Sequence, residues 1–470
     1  MKAWLRLLKQ PRQIRTLLAG FPSIDAAVEC VSAIVARGIV PRVLEALDKT
    51  TVDSVEAYVH AGYPKTEAVL LIEVDGDAAE VESEAASVER LCREGGALEV
   101  RAALDAAQRD KLWEGRRGAY AAMARLAPNV CVEDGVVPRD KLPEIVRRIK
   151  AITAKHGLIA GLLFHAGDGN IHPNIAYDER DAAQTRRVRE AGHEILQACV
   201  ELGGSLSGEH GIGLDKREAM AWLFSPQTLN LFRRLKAALD ARGIANPDKI
   251  LPLSQQKQGP GFIKPPLPEL SAQARRLVAQ VSGCGQAKKP MLVRGSSSRL
   301  SREAPPDTAI LETAGLNGLI DLDAKNLTLT VEAGYSVHAL HHDPSRRGFF
   351  LRLPETGGTL GGLLATKPVA SLRDDVLGMR VLLADGEVCE LGGKVVKNVA
   401  GYDVSRLLLG SWGGLAVILE VTLKMYAAPQ KAKAAAPLAA APPPVYSPWA
   451  RRIKAAFDPH NLLNPWLAGS

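Results

Sequence analysis

One glycine-rich stretch contains two histidines and begins with an apolar run. Residues 161–174 read Gly-Leu-Leu-Phe-His-Ala-Gly-Asp-Gly-Asn-Ile-His-Pro-Asn. An apolar run ends at His165, and the glycine-rich loop that follows carries His172. Imidazole nitrogens at the end of a buried segment are typical ligands of a divalent metal ion.

A second glycine-flanked loop supplies the remaining polar groups. Residues 205–213 read Ser-Leu-Ser-Gly-Glu-His-Gly-Ile-Gly and contain the adjacent pair Glu209 and His210. Imidazole and carboxylate together suit a zinc-like ion, and a site with three protein ligands leaves a position for water or substrate. The two stretches therefore predict a divalent-metal site. The alternative is that both are polar loops with incidental histidines.

Regular elements must position these loops. Residues 158–164 are a predicted strand that runs into the first loop, and residues 181–202 and 215–241 are predicted helices on either side of the second. Residues 23–60 are predicted to be helical, and the apolar run 67–75 is predicted to be a buried strand. This alternation indicates an α+β layer in which helices back a sheet.

The pattern changes after a Pro- and Gly-rich stretch at residues 253–267, which is typical of a domain linker. Short strands separated by turns follow, predicted at residues 291–295, 308–312, 318–322, 327–332, 379–384 and 388–391, the last two around an Asp-Gly hairpin turn. Residues 428–444 are rich in Ala and Pro, which predicts a disordered or polyproline spacer.

The chain contains an internal repeat. Residues 233–247 read Arg-Arg-Leu-Lys-Ala-Ala-Leu-Asp-Ala-Arg-Gly-Ile-Ala-Asn-Pro, and residues 451–465 read Arg-Arg-Ile-Lys-Ala-Ala-Phe-Asp-Pro-His-Asn-Leu-Leu-Asn-Pro. A match of this length exceeds what helix propensity produces. It predicts two related units, each ending in the same helix and Asn-Pro turn.

Composition limits the class of protein. The 470 residues are 46% hydrophobic and 24% charged, as in ordinary soluble globular proteins, and no apolar run approaches the ~20 residues of a membrane span. The formal net charge of +7 comes from scattered basic residues, which predicts no nucleic-acid partner. The six cysteines are widely spaced without a Cys-x-x-Cys, which favours a reducing cytoplasm over an iron–sulfur cluster or a disulfide framework.

With these motifs in view, the first 255 residues resemble the C-terminal cap domain of the D-type glycolate oxidase family, within the vanillyl-alcohol-oxidase-type (PCMH) flavoproteins. The residues that carry the resemblance are His165-x-Gly-Asp-Gly-Asn-x-His172, Ser207-Gly-Glu-His-Gly-Ile-Gly213, Leu112-Trp-Glu-Gly-Arg116 and Asn246-Pro-Asp-Lys-Ile-Leu-Pro252. Residues 268–428 resemble the flavin-binding domain of the E-type glycolate oxidase family, through Gly357-Gly-Thr-Leu-Gly-Gly362 and the run from Val396 to Ser411.

The resemblance implies an α+β fold, in which a cap domain with an antiparallel sheet backed by helices precedes a PCMH-type α+β FAD-binding domain. The predicted domains are the cap at 1–255, a linker at 256–267, the FAD-binding domain at 268–428, an Ala/Pro-rich linker at 429–447 and a C-terminal helix with an Asn-Pro tail at 448–470. This order is permuted relative to the family, where the flavin domain precedes the cap.

Roles for individual residues follow from the resemblance. It implies a divalent metal bound by His165, His172 and Glu209, with His210 as the base beside the flavin. Arg116 is expected to bind a substrate carboxylate, and Asn174 is expected to form a hydrogen bond with the substrate. The alternatives are a surface helix residue for Arg116 and a turn cap for Asn174.

The resemblance also implies that small residues let backbone amides approach the FAD pyrophosphate. The expected FAD-binding residues are Gly295, Ser296, Ser297, Gly357, Gly358, Thr359, Gly361 and Gly362, with Val417 and Ile418 contacting the adenine end through their backbone. The alternative for the last two is ordinary strand core.

Two functional hypotheses follow. The first is an FAD-dependent oxidoreductase that converts a small 2-hydroxy acid, of the glycolate or D-lactate type, to the 2-oxo acid, and passes electrons to a separate iron–sulfur protein or a quinone. The second is a non-catalytic or remnant fusion protein that binds metal and assembles with a complete flavoprotein. The predicted location is the cytoplasm, with peripheral association at the inner face of the membrane as an alternative.

Overall fold

The chain forms two compact units, which are described separately. The computed structural model describes residues 10–11, 13–253, 261–297, 303–342, 348–354, 356–366, 370–426 and 446–467. The first unit comprises Met1–Gly135 and Arg139–Ala198, and the second comprises Val136–Pro138 and Cys199–Ser470. The predicted domain boundaries at residues 255 and 428 remain predictions.

The first unit alternates strands with helices. Its elements are β1 (Gln13–Phe21), α1 (Ile24–Ala36), β2 (Val43–Asp48), α2 (Lys49–Tyr58), β3 (Ala68–Gly76), α3 (Ala78–Glu94), β4 (Glu99–Ala102), α4 (Ala106–Met123), β5 (Asn129–Val132), β6 (Gly135–Val136), α5 (Leu142–Lys155), β7 (Ile159–His165), β8 (Asn170–Tyr177) and α6 (Ala182–Glu201). The boundary between the units falls within β6 and within α6.

The sheet of the first unit is antiparallel throughout its main path, in the order β4-β1-β3-β2-β7-β8-β5. The apolar run of β3 lies at its centre, where Val69, Leu70, Leu71 and Ile72 are fully buried. Helices α2 and α4 pack on one another beside this core. The predicted α+β class, an antiparallel sheet backed by helices, is confirmed.

The prediction that residues 23–60 are helical is wrong at one point. Strand β2 separates α1 from α2 and pairs with β3 on one side and β7 on the other. The strand is six residues long, and Ala46 and Leu47 are fully buried within the sheet. Tertiary burial therefore outweighs the local pattern, as it often does for short segments.

The second unit contains the remaining elements. They are α7 (Met220–Leu223), α8 (Pro226–Leu239), α9 (Ala272–Gln286), β9 (Met291–Arg294), β10 (Ala309–Glu312), β11 (Leu319–Asp323), β12 (Thr328–Glu332), α10 (Val337–His342), α11 (Leu360–Thr366), α12 (Ala370–Asp375), β13 (Val376–Leu382), β14 (Val388–Gly392), α13 (Ser405–Leu408), β15 (Val417–Lys424) and α14 (Pro448–Phe457).

Two sheets organise this unit. Strands β9 and β10 form a parallel pair, and five strands form an antiparallel sheet in the order β11-β12-β15-β13-β14. The six predicted strands and the Asp385-Gly386 hairpin turn between β13 and β14 are confirmed, with ends shifted by one to three residues. Residues 254–260 and 427–445, which include parts of both predicted linkers, lie outside the described residues.

The predicted continuous helix over residues 215–241 is wrong. Helix α7 ends at Leu223, and α8 begins at Pro226 after the cap residue Ser225, whose Oγ accepts a hydrogen bond from the amide of Thr228. Proline has no N–H and fits the first turn of a helix, so Ser225-Pro226 starts a new helix. Among the described residues, no helix combines the length and apolar character needed to cross a membrane.

The turn before the second glycine-rich loop requires glycine at position 204. Val136 and Ser205 exchange both backbone hydrogen bonds, and a Cβ on Gly204 would lie 1.8 Å from the carbonyl oxygen of Val136. We expect Gly204→Ala to lower the free energy of unfolding by more than about 2 kcal/mol, because backbone atoms must move apart. Urea-induced unfolding followed by circular dichroism measures this change.

Gly283→Ala is the matched control for this prediction. Gly283 lies in α9, and a Cβ there meets nothing within 4 Å. The substitution is expected to be neutral or to stabilise the chain by up to about 1 kcal/mol, because alanine favours the helix. An unfolding midpoint for Gly204→Ala equal to that of Gly283→Ala would contradict the prediction.

Candidate functional site

A β-hairpin in the first unit presents the two predicted histidine ligands together. His165 is the last residue of β7, and His172 is the third residue of β8. Their ring centroids are 5.3 Å apart, and the rings meet edge to face. The glycine-rich turn allows this geometry, because Gly169 adopts a positive φ of 76°.

A carboxylate that the sequence analysis did not identify orients the first histidine. Glu45 lies opposite His165 in the β2–β7 register, and its Oε1 is 2.6 Å from His165 Nδ1. The Glu45 side chain also accepts a hydrogen bond from Arg116 Nε at 2.9 Å through Oε2. Three groups from β2, β7 and α4 therefore form one continuous chain of contacts.

The electrostatics of Glu45 follow from these partners. The residue is only 7% exposed, and burial favours its protonated form. The hydrogen bond from His165 and the positive charge of Arg116 outweigh burial, so the pKa of Glu45 lies below its ordinary value. Glu45 is thus a buried carboxylate at neutral pH, and it compensates the charge of Arg116.

A second buried carboxylate fixes the helix that carries Arg116. Glu73 on β3 accepts hydrogen bonds through Oε1 from Trp113 Nε1 at 2.7 Å and from Thr16 Oγ1 at 2.6 Å. Trp113 and Arg116 are three residues apart on α4, so they occupy the same face of the helix. The Trp113–Glu73 contact therefore sets the direction in which Arg116 points.

Asn174 lies on β8 two residues beyond His172, on the same face of the strand. It is 3% exposed, and its Nδ2 donates to the backbone carbonyl of His172 at 2.9 Å. Asn170 secures the start of the same strand by donating to Asp134 Oδ1 at 2.6 Å. The proposed substrate contact of Asn174 remains a prediction.

The second glycine-rich loop belongs to the second unit. Ser207 Oγ accepts a hydrogen bond from the amide of Gly211 at 2.8 Å, which closes the turn that carries Glu209 and His210. Both of these residues are exposed. Lys397, which the sequence analysis did not assign, places its Nζ 3.3 Å from Glu209 Oε2.

Neighbouring contacts hold this loop in place. Ser205 Oγ is hydrogen-bonded to Asn398 Oδ1 at 2.7 Å, and the amide of Val399 donates to the carbonyl of Ser207 at 3.1 Å. The Val396–Ser411 motif and the Ser205–Gly213 loop therefore form one local assembly within the second unit. Joint metal binding by Glu209 with the two histidines of the first unit remains a prediction.

The predicted flavin-binding residues surround a cavity of about 70 Å³ in the second unit. Seven of the ten line it, namely Gly295, Ser296, Ser297, Thr359, Gly361, Gly362 and Ile418. Gly357, Gly358 and Val417 do not line it, and the Val417 side chain is fully buried in the adjacent core. The cavity wall also includes Thr313, Thr366, Trp412 and Gly413, which the sequence analysis missed.

Two glycines of the cavity wall are required by close packing within the wall itself. A Cβ on Gly361 would lie 2.9 Å from Ala333 Cβ, and a Cβ on Gly295 would lie 2.7 Å from Thr359 Oγ1. Small residues are therefore required where α11 meets the end of β12.

Comparison with known protein families covers most of the chain. Residues 10–250 and 444–467 match the family model described as FAD linked oxidases, C-terminal domain. Residues 271–392 match the model described as FAD binding domain. The first model thus includes the histidine hairpin and the Glu209–His210 loop, and the second includes most of the cavity wall.

Curated relatives match about half of the chain. The glycolate oxidase subunit GlcD of Escherichia coli (strain K12) is 40% identical over 249 residues, which cover 53% of this chain and 50% of that protein. The GlcD protein of Bacillus subtilis (strain 168) is 38% identical over 258 residues, 55% of each chain. A probable mitochondrial D-lactate dehydrogenase of Danio rerio is 31% identical over 256 residues, 54% of this chain and 51% of the relative. The chain spans about half the length of these relatives.

The Glu45–Arg116 contact should be strongly coupled. Their side chains are 9% and 17% exposed, so removal of one charge leaves the other largely desolvated. We expect a double-mutant cycle with Glu45→Gln and Arg116→Gln to give a coupling free energy of about 1–3 kcal/mol, measured by urea unfolding.

The exposed pair Arg93–Glu89 on α3 is the control for this cycle, with side chains 57% and 42% exposed. The same cycle there should give less than about 0.5 kcal/mol, because water screens the pair. Equal coupling at both sites would show that Glu45 and Arg116 do not form a desolvated pair.

Proposed function

This chain belongs to the FAD-linked oxidases, and from that premise we propose that it is an FAD-dependent oxidoreductase acting on a small 2-hydroxy acid. We propose a substrate of the glycolate or D-lactate type, because the relatives carry those activities in their names. The observation that most supports this proposal is the contact chain from His165 through Glu45 to Arg116, which brings a candidate metal ligand and a candidate carboxylate-binding group to one buried anion.

In this proposal, His165, His172 and Glu209 bind a divalent, zinc-like metal ion. The Glu45 carboxylate accepts a hydrogen bond from Nδ1 of His165, and this fixes the tautomer in which Nε2 is the ligating nitrogen. The same contact orients the ring. A bound metal would polarise the substrate hydroxyl and lower its pKa.

Arg116 is proposed to bind the substrate carboxylate. A guanidinium group has five N–H donors in a planar fork, and the Glu45 contact engages the edge formed by Nε and Nη2. The N–H groups of Nη1 are then proposed to donate hydrogen bonds to the substrate carboxylate. Pairing with Glu45 also fixes the plane of the guanidinium, which reduces the entropy lost when a carboxylate binds.

His210 is proposed to take the proton of the substrate hydroxyl as the α-carbon loses hydride. An imidazole is suited to this role because its ordinary pKa lies near the working pH. FAD, when bound, supplies the acceptor for the hydride. Asn174 is proposed to hydrogen-bond the substrate, which would hold the α-carbon in a fixed orientation.

Electrons would leave through a separate iron–sulfur protein or a quinone, since the chain carries no Cys-x-x-Cys motif. Peripheral association with the cytoplasmic face of the membrane would bring the chain to such an acceptor. The alternative proposal is a non-catalytic protein that binds metal and assembles with a complete flavoprotein. The domain order, in which the match to the C-terminal domain model begins before the FAD-binding match, favours this alternative.

Flavin reduction separates the two proposals. The purified chain is expected to bind added FAD, and anaerobic glycolate or D-lactate should bleach the flavin absorbance bands. We expect His210→Ala to retain FAD and to slow bleaching by on the order of 10²–10⁴-fold, because a general base is lost.

His193→Ala is the control for His210→Ala, since it removes an exposed histidine from the surface of α6. It should bleach at the wild-type rate. A chain that takes up no FAD would leave only the non-catalytic proposal. Wild-type bleaching in His210→Ala would remove His210 from the mechanism and leave the flavoprotein assignment intact.

Metal content tests the ligand set independently of catalysis. We expect one divalent ion per chain by elemental analysis, and loss of that ion in His165→Ala, His172→Ala and Glu209→Ala. Glu45→Gln should weaken metal affinity by about 10–100-fold, because it removes the acceptor that orients His165.

Glu89→Gln, an exposed substitution on α3, is the matched control for Glu45→Gln and should leave the affinity unchanged. Unchanged metal content in all three ligand variants would show that the ligand set is wrong. Unchanged affinity in Glu45→Gln alone would show that Glu45 does not position His165.

A further inference from the structure

The two copies of the internal repeat fold in the same way. Each helix begins at the proline of a Ser-Pro step, and Ser225 caps α8 and Ser447 caps α14 through their hydroxyl oxygens. The two helices also pack against each other within the second unit. The repeat is therefore a structural duplication as well as a sequence duplication.

The turn after each helix is closed by the same ion pair. In the first copy, Lys236 Nζ contacts Asp240 and donates to the carbonyl of Ala245. In the second, Lys454 Nζ lies 2.6 Å from Asp458 Oδ2 and 2.7 Å from the carbonyl oxygen of Leu463.

The asparagine after each turn has the same left-handed backbone. The φ of Asn246 is 46° and that of Asn464 is 45°. The two turns thus present an Asn-Pro step in the same conformation.

The second copy is docked on the FAD-binding domain. The amide of Met291 donates to the carbonyl of Leu462 at 2.7 Å, and the amide of Asn464 donates to the carbonyl of Met291 at 2.8 Å, so the tail forms one parallel β-bridge with the start of β9. The Asn464 side chain accepts from the amide of Val293 at 3.0 Å and donates to the carbonyl of Trp412 at 2.6 Å.

The first copy exposes the residues that the second copy buries. Ile244 is 67% exposed, whereas its counterpart Leu462 is 5% exposed. Leu239 is 45% exposed, whereas its counterpart Phe457 is fully buried. All of residues 241–249 are exposed, including Asn246.

We propose that this segment, residues 239–247, docks on an FAD-binding domain supplied by another polypeptide. The second copy shows what such a binding site contains. It has a strand edge, an apolar recess, and a backbone N–H and a backbone carbonyl that hydrogen-bond to the asparagine side chain. The corresponding edge of this chain is already paired with Leu462 and Asn464. The partner domain is therefore one whose strand equivalent to β9 has no tail of its own on that edge.

The test uses two full-length forms of this chain. The receptor form carries Leu463→Asp and Asn464→Ala, which release its own tail from β9, and Ile244→Asp, which disables its own first copy. Sedimentation velocity with the receptor form labelled measures its association with unlabelled wild-type chain. We expect a one-to-one complex, with affinity reduced by at least about tenfold when the wild-type partner carries Ile244→Asp and Asn246→Ala.

Phe262→Asp on the unlabelled chain is the control, since it removes another large exposed side chain, 44% exposed, outside the segment. It should leave the complex intact. If the receptor form does not fold by circular dichroism, Leu463→Ala and Asn464→Ala with Ile244→Asp replace it, because alanine removes the contacts of the tail with β9 without placing a charge in the core.

Absence of a complex with a folded receptor form would overturn the proposal. Equally tight association of the wild-type chain with a labelled form that keeps its own tail on β9 would also overturn it, because the segment would then need no bare strand.

Discussion

The carboxylate of Glu45, held between an imidazole and a guanidinium inside a sheet, is the interaction on which the first unit depends. Because the carboxylate is desolvated, its attraction to both partners is stronger than in water. The loss of either partner leaves a buried charge without full compensation. The β2–β7 register, the orientation of the His165 ring and the direction of Arg116 on α4 all satisfy this one anion. The orientation of two proposed site residues and the folding stability of the first unit are therefore linked here.

The second unit depends on close approach of backbone segments. Gly361 packs closely on Ala333 and Gly295 on Thr359, where a larger side chain would clash. Both glycines also line the cavity. The C-terminal tail supports this wall from behind, since Asn464 bonds to Trp412 and lies against Gly413. A segment far from the cavity in sequence thus helps to define its shape.

Local patterns predicted the parts of the site that are formed by contiguous residues. The strand that leads into His165 and the glycine-rich turn after it were predicted because they lie side by side in the sequence, whereas the strand β8 that carries His172 was not predicted. Glu45 was missed because β2 is a short strand within a segment that was predicted to be helical, and its pairing with β7 is non-local. Thr313 and Trp412 were missed for the same reason, since only the fold brings them to the cavity.

The same Lys–Asp ion pair occurs in both copies of the turn, but its exposure to solvent differs between them. The Lys454–Asp458 pair is 4% and 0% exposed, whereas the Lys236–Asp240 pair is 28% and 11% exposed. Mobile ions screen charges in water over about 8 Å at physiological ionic strength but reach a buried pair poorly. Added salt is therefore expected to weaken the Lys236–Asp240 pair more than the Lys454–Asp458 pair, so one chain contains a more and a less salt-sensitive form of the same structural element.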